Sequence, residues 1–122
     1  MIDHITLPLA NYATEKDQYK AILEASGWKM IVDQEFYSGY GSGDRPVFWI
    51  CEPSEGRPHA SGAHVAIAVD SKEAVQAFHK KALELGWRDN GAPGLRPEYS
   101  EDYYGAFVLD ASGNNIEAVT FN

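Results

Sequence analysis

The chain has 122 residues, enough to bury one core and too few for two independently stable ones. Its formal charge of -8, with 10 Lys and Arg against 18 Asp and Glu, excludes the basic stripe that a nucleic-acid backbone requires. No apolar run approaches the roughly 20 residues of a membrane span, and the start Met1-Ile2-Asp3-His4 lacks the basic and apolar regions of a signal peptide. The only cysteine, Cys51, has no partner for an internal disulfide, so a cytoplasmic protein that touches neither nucleic acid nor membrane is expected.

In chain order, the first predicted element is a strand, His4-Ile5-Thr6-Leu7-Pro8-Leu9. A helix follows from Asn11 to Ala25, with Tyr12, Tyr19, Ile22 and Leu23 on one stripe and Gly27-Trp28 closing it. The period then drops to two, predicting strands near Lys29 to Val32, Glu35 to Tyr40 and Val47 to Cys51. Residues Glu52 to Gly62 are rich in Pro, Ser and Gly and read as a linker.

The same order then repeats. His64-Val65-Ala66-Ile67-Ala68-Val69 predicts a strand, and Ser71 to Leu85 a helix with Val75, Phe78, Ala82 and Leu85 on its buried stripe, closed by Gly86-Trp87. Asn11 and Asp70 are the expected N-caps, with Glu73 completing a capping box, and Gly27 and Gly86 suit left-handed C-terminal turns. Three more strands are expected at Trp87 to Asn90, Tyr103 to Leu109 and Asn115 to Phe121. The segment Gly91 to Asp102 reads as a long irregular loop. Each half is β-α-β-β-β, giving one domain over 1–122, with module one about 1–51, a linker about 52–62 and module two about 63–122.

Alternation in the two opening strands turns Ile5, Leu7 and Leu9, and Val65, Ile67 and Val69, toward the helices. The opposite faces carry His4 and Thr6 in one strand, and His64, Ala66 and Ala68 in the other. In the last strand Glu117 shares its parity with Val119 and Phe121, placing a carboxylate on a partly apolar face. Two imidazoles and a carboxylate on equivalent strand faces suit zinc, iron, manganese, nickel or cobalt and leave positions open for a substrate. The plainer alternatives are that the histidines are hydrogen-bonded rim residues and that Glu117 pairs with a lysine.

These residues resemble the vicinal-oxygen-chelate superfamily, which includes glyoxalase I, extradiol dioxygenases, and bleomycin- and fosfomycin-resistance proteins. The likeness rests on Ile2-Asp3-His4-Ile5-Thr6-Leu7, on Ala63-His64-Val65-Ala66, and on the ending Asp110-Ala-Ser-Gly-Asn-Asn-Ile-Glu117. It implies an α+β fold of two βαβββ modules forming a cupped, partly open mixed sheet. It also implies His4, His64 and Glu117 as ligands of a divalent metal, Glu117 doubling as a catalytic base, and a homodimer whose ligands come from one chain or from two. Glyoxalase I commonly has a fourth ligand on the first module's final strand. Val47-Phe48-Trp49-Ile50-Cys51 offers no carboxylate there, which leaves a two-histidine, one-carboxylate set like that of extradiol dioxygenases.

Substrate contacts are expected from Arg96, for an anionic group, from Tyr99, Tyr103 and Tyr104, for a ring, and from whichever of Phe48 and Trp49 faces the cup. Pairing of Arg96 with Glu98 or Glu101 is the alternative for that side chain. His59 and His79 are expected to be solvated. The resulting expectation is a metal-dependent lyase, isomerase or dioxygenase acting on a small oxygenated metabolite. Two rivals stand beside it: a non-catalytic binding protein of the bleomycin-resistance type, and a partner-facing domain with a vestigial pocket.

Overall fold

Leu7 turns inward from the first strand and Thr6 outward, and this alternation decides which face of each sheet meets a helix. The computed structural model describes residues 1–122. The elements are β1 (Ile5–Pro8), α1 (Tyr12–Ala25), β2 (Lys29–Asp33), β3 (Tyr37–Gly41), β4 (Phe48–Cys51), β5 (His64–Ala68), α2 (Lys72–Glu84), β6 (Arg88–Leu95), β7 (Tyr104–Leu109) and β8 (Asn115–Thr120). Each βαβββ module folds its strands into one mixed sheet, in the orders β1-β4-β3-β2 and β5-β8-β7-β6. β1 runs parallel to β4, as β5 does to β8, and the remaining pairs are antiparallel.

Both helices end alike. Gly27 and Gly86 take φ of 95° and 92°, conformations that disfavour side chains with a Cβ. Trp28 and Trp87 then donate their backbone N–H back to Leu23 and Ala82, each at 3.0 Å, closing Schellman turns that fold both indoles into the core. The starts differ from expectation. Ser71, not Asp70, caps α2, its hydroxyl accepting from the Ala74 N–H at 3.1 Å. Asn11 makes no side-chain cap, and the Glu15 carboxylate accepts the Asn11 N–H instead.

One cluster of 20 buried residues draws on both modules, because α1 and α2 pack against each other as well as on their own sheets. The Tyr19 ring meets the Trp87 ring edge-on at 4.7 Å, and its hydroxyl donates to Asp110 Oδ2 at 2.6 Å. Asp110 also accepts from the N–H groups of Ser112 and Asn114, and the Asn114 amide donates to the Ala60 carbonyl and accepts from the Ala63 N–H. The segment Asp110 to Asn114 therefore ties the last hairpin to α1 and to the linker. With the helices sharing this core, the opposite faces of both sheets are covered by no helix.

Two further boundaries are corrected. β3 starts at Tyr37 rather than Glu35, and β6 continues to Leu95 through register shifts around Gly91, so half of the expected loop is a bulged strand. His79 is buried rather than solvated, its ring 2.9 Å from Asp89 Oδ1 across the α2–β6 contact.

Candidate active site on the outer sheet faces

The β5–β8 register sets Ala66 opposite Glu117 and His64 opposite Asn115. Ala66 has only a methyl group, so the long Glu117 side chain reaches back toward His64, and its Oε1 lies 2.9 Å from His64 Nε2. The other carboxylate oxygen accepts the Tyr103 hydroxyl. Glu117 is 1 % exposed, and neither lysine nor arginine pairs with it. A buried carboxylate is costly unless positive charge, from an imidazolium or a metal ion, faces it. Burial, and then the hydrogen bond to Glu117, push the Tyr103 phenol well above its ordinary range. It therefore remains a donor across the physiological range and fixes the carboxylate's orientation.

His4 is elsewhere. It is exposed, with Nδ1 2.7 Å from Asp3 Oδ1, and Asp3 is also held by Arg45 at 2.9 Å. The His4 hydrogen bond and the Arg45 charge lower the Asp3 carboxyl below its usual value. His4 and His64 border one groove of about 460 Å³ between the outer edges of β1 and β5. Yet no three His, Cys, Asp or Glu side chains come close enough to hold a metal ion. Of the two arrangements expected for His4, His64 and Glu117, from one chain or from two, the single chain brings only His64 and Glu117 into contact.

The remaining candidates divide by strand parity. Trp49 lies on the outer face beside Thr6, its β1 partner, while Phe48 is 1 % exposed, packs against Tyr19 and Tyr40, and borders the groove that His4 and His64 share. Tyr103 lines the outer face between Tyr99 and Phe121, with ring centroids at 5.0 and 5.3 Å. Tyr104 turns the other way, toward α2, where its hydroxyl accepts from Gln76 Nε2 and Lys72 sits over its ring; its expected place in the pocket is corrected accordingly. Arg96 pairs with neither Glu98 nor Glu101. Its guanidinium lies over the Phe107 ring, 5.4 Å from the centroid, and donates to the Ala92 carbonyl at 2.7 Å.

Sequence reasoning missed Phe107 and Asn115. Phe107 sits opposite Glu117 in the β7–β8 register and 6.0 Å from the His64 ring, ring centre to ring centre. Asn115 carries the one buried side-chain oxygen without a hydrogen-bond partner. Asn115 shares strand parity with Glu117, the signal that would have found it, whereas Phe107 shares parity with Tyr103 and meets Glu117 only through the β7–β8 register. The donor chemistry of His64 and Glu117 fits a divalent cation: an imidazole nitrogen and a buried carboxylate oxygen face each other, with Tyr103 as the outer partner that orients the acid.

Comparison with known proteins gives a consistent picture. The model of the Glyoxalase/Bleomycin resistance protein/Dioxygenase superfamily matches residues 1–118. A solved glyoxalase/bleomycin resistance protein from Albidiferax ferrireducens T118 is 26% identical with a TM-score of 0.83, covering 97% of each chain. The fold is also that of a lactoylglutathione lyase from Agrobacterium tumefaciens, at 14% identity and TM-score 0.69, covering 98% of this chain and 92% of that one. It is shared as well with the fosfomycin resistance protein FosX from Mesorhizobium loti, at 13% identity and TM-score 0.65, covering 98% and 91%. No curated protein matches the chain.

Proposed function

The chain belongs to the glyoxalase/bleomycin resistance protein/dioxygenase superfamily, and on that premise we propose that it is a metal-dependent enzyme acting on a small oxygenated metabolite. The observation that carries this reading is the buried Glu117 carboxylate facing the His64 ring, with no lysine or arginine beside it. His64 and Glu117 would hold the metal together with His4 of a second copy of the chain. A homodimer suits the surface: the outer sheet faces and their flanking loops expose Phe36, Tyr37, Tyr99 and Phe121, apolar area that a second copy would cover.

When bound, the metal would act as a Lewis acid toward vicinal oxygens of the substrate. The protein's own part follows from the hydrogen bonds. Tyr103 occupies Glu117 Oε2 and leaves Oε1, the oxygen facing His64, as the one able to take a ligand or a proton. Burial of Glu117 keeps bulk water from that oxygen. Proton transfer beside a carbonyl is the lyase or isomerase version of this chemistry, and an iron-dependent dioxygenase is the other.

A second reading, a non-catalytic binding protein, is favoured by one observation. The Trp49 indole packs against Gly39 on the outer face of the first module, where it would offer an aromatic surface to a ligand. Elemental analysis of protein purified without an affinity-metal step separates the two. The enzyme reading expects a stoichiometric divalent metal that is lost in His64→Ala and Glu117→Gln. A metal-free protein, or variants that keep their metal, would contradict it.

A further inference from the structure

Beside the His64–Glu117 pair, the outer face of β6, β7 and β8 carries an open recess of about 290 Å³, bordered by Arg96, Tyr99, Phe107 and Asn115. Arg96 is built into it. A Cβ at Gly91 would lie 3.3 Å from one guanidinium nitrogen and 2.8 Å from the Phe107 ring, and a Cβ at Gly94 would lie 3.1 Å from the other terminal nitrogen. The two glycines thus make the bed on which the guanidinium rests. Phe107 supports it by a cation–π contact, and the Ala92 carbonyl holds one nitrogen. No carboxylate neutralises it, although the chain carries 18 acidic residues and Glu98, Glu101 and Asp102 are near in sequence. Asn115 borders the recess as well, its unpartnered side-chain oxygen offering an acceptor to a donor on the ligand rather than to the acid group.

We propose that this recess is a carboxylate-binding subsite, in which the planar guanidinium of Arg96 anchors an anionic end of the substrate. The inference rests on the reading of His64 and Glu117 as the reaction centre and specifies the substrate class for it. The planar fork of a guanidinium matches a carboxylate with two parallel hydrogen bonds. Phe107 sets the spacing: its ring centroid is 5.4 Å from Arg96 Cζ and 6.0 Å from the centre of the His64 ring. The Phe107 ring thus neighbours both the guanidinium and the His64 ring, and the apolar part of the substrate would run along it between the two. The substrate is a carboxylic acid whose oxygenated carbons are several bonds from the acid group, rather than a simple 2-oxo acid.

The test uses metal-free, 15N-labelled protein titrated with levulinate, with its neutral amide and with methylphosphonate, followed at the Arg96 Nε–H and Asn115 side-chain NH2 signals. Levulinate is expected to shift both, the amide neither, and methylphosphonate to bind more weakly. R96Q should weaken levulinate binding at least tenfold. R96K, which keeps the charge and stem but not the fork, should also weaken it and serves if R96Q does not fold. Zinc stoichiometry in either variant should match wild type, so a failure of the metal reading shows in His64→Ala and a failure of this one in the Arg96 variants. Undiminished levulinate binding by R96Q or R96K, equal binding of the amide, or tighter binding of methylphosphonate would each overturn the proposal.

Discussion

Trp49 holds in the first module the place that Glu117 holds in the second. Trp49 pairs with Thr6 across β1 and β4, and Glu117 with Ala66 across β5 and β8, with His4 and His64 each two residues before the partner. The duplicated frame therefore carries two unlike half-sites, one offering an imidazole and an indole wall, the other an imidazole and a carboxylate. A fourth carboxylate ligand has no position left in the first module, because the indole fills it.

That wall is predicted to be sensitive at Gly39. An added Cβ would lie 2.8 Å from Trp49 Cε3 and 2.9 Å from Pro46 Cβ, so Gly39→Ala must displace the indole. A cost of about 1–3 kcal/mol is expected, seen as a lower urea midpoint with a changed tryptophan fluorescence. Gly43→Ala, with nothing within 4 Å of its Cβ, should stay within about 0.5 kcal/mol of wild type. Equal midpoints for the two variants would contradict the packing described.

Tyr103→Phe removes the donor to Glu117 Oε2 and leaves a buried acceptor unpaired. Stability should fall by about 1–3 kcal/mol. Metal affinity should drop about 10–100-fold while stoichiometry at saturation is kept, as measured by chelator competition. Tyr104→Phe loses only the Gln76 hydrogen bond on the helix side and should leave metal affinity unchanged.

Alkaline pH is predicted to destabilise the fold through its buried phenols. Tyr12, Tyr19, Tyr40 and Tyr103 all have raised values, with burial the largest cause in each. A group that holds its proton more tightly when folded contributes stability that is complete below its unfolded value, about 10 for tyrosine, and declines as pH rises beyond it. Absorbance titration should show phenolate appearing late in the native protein and near pH 10 in denaturant. Coincident titration of all seven tyrosines in the native state would contradict this.

The duplicated βαβββ order was legible in the sequence because strand and helix periods are local properties, and the paired Gly-Trp helix ends marked the repeat. Parity in β8 placed Glu117 opposite the core-facing Ile116 and Ala118, both of which are buried among the helices' contacts. What local pattern could not supply was long-range pairing. Trp49's equivalence to Glu117 depends on strand register, and Tyr104's turn toward α2 on where β7 begins. The segment Asp110 to Asn114, part of the ending that carries the family likeness, proves to be a hydrogen-bonded staple between modules, which only the packing of Tyr19 on Asp110 reveals. The separation of His4 from Glu117 follows from how the two modules share one core, and no single strand encodes that.

The sharing of one metal between two copies is tested most directly by mixing variants. His4→Ala and His64→Ala dimers, each without metal, are combined under mild denaturation and refolded, and the mixed dimer is isolated by differential tags. One chain then supplies His64 and Glu117 and the other His4, so the account predicts that the mixed dimer regains one metal ion while both parents remain empty. A mixed dimer that stays metal-free, or a parent that binds metal at full stoichiometry, would contradict it.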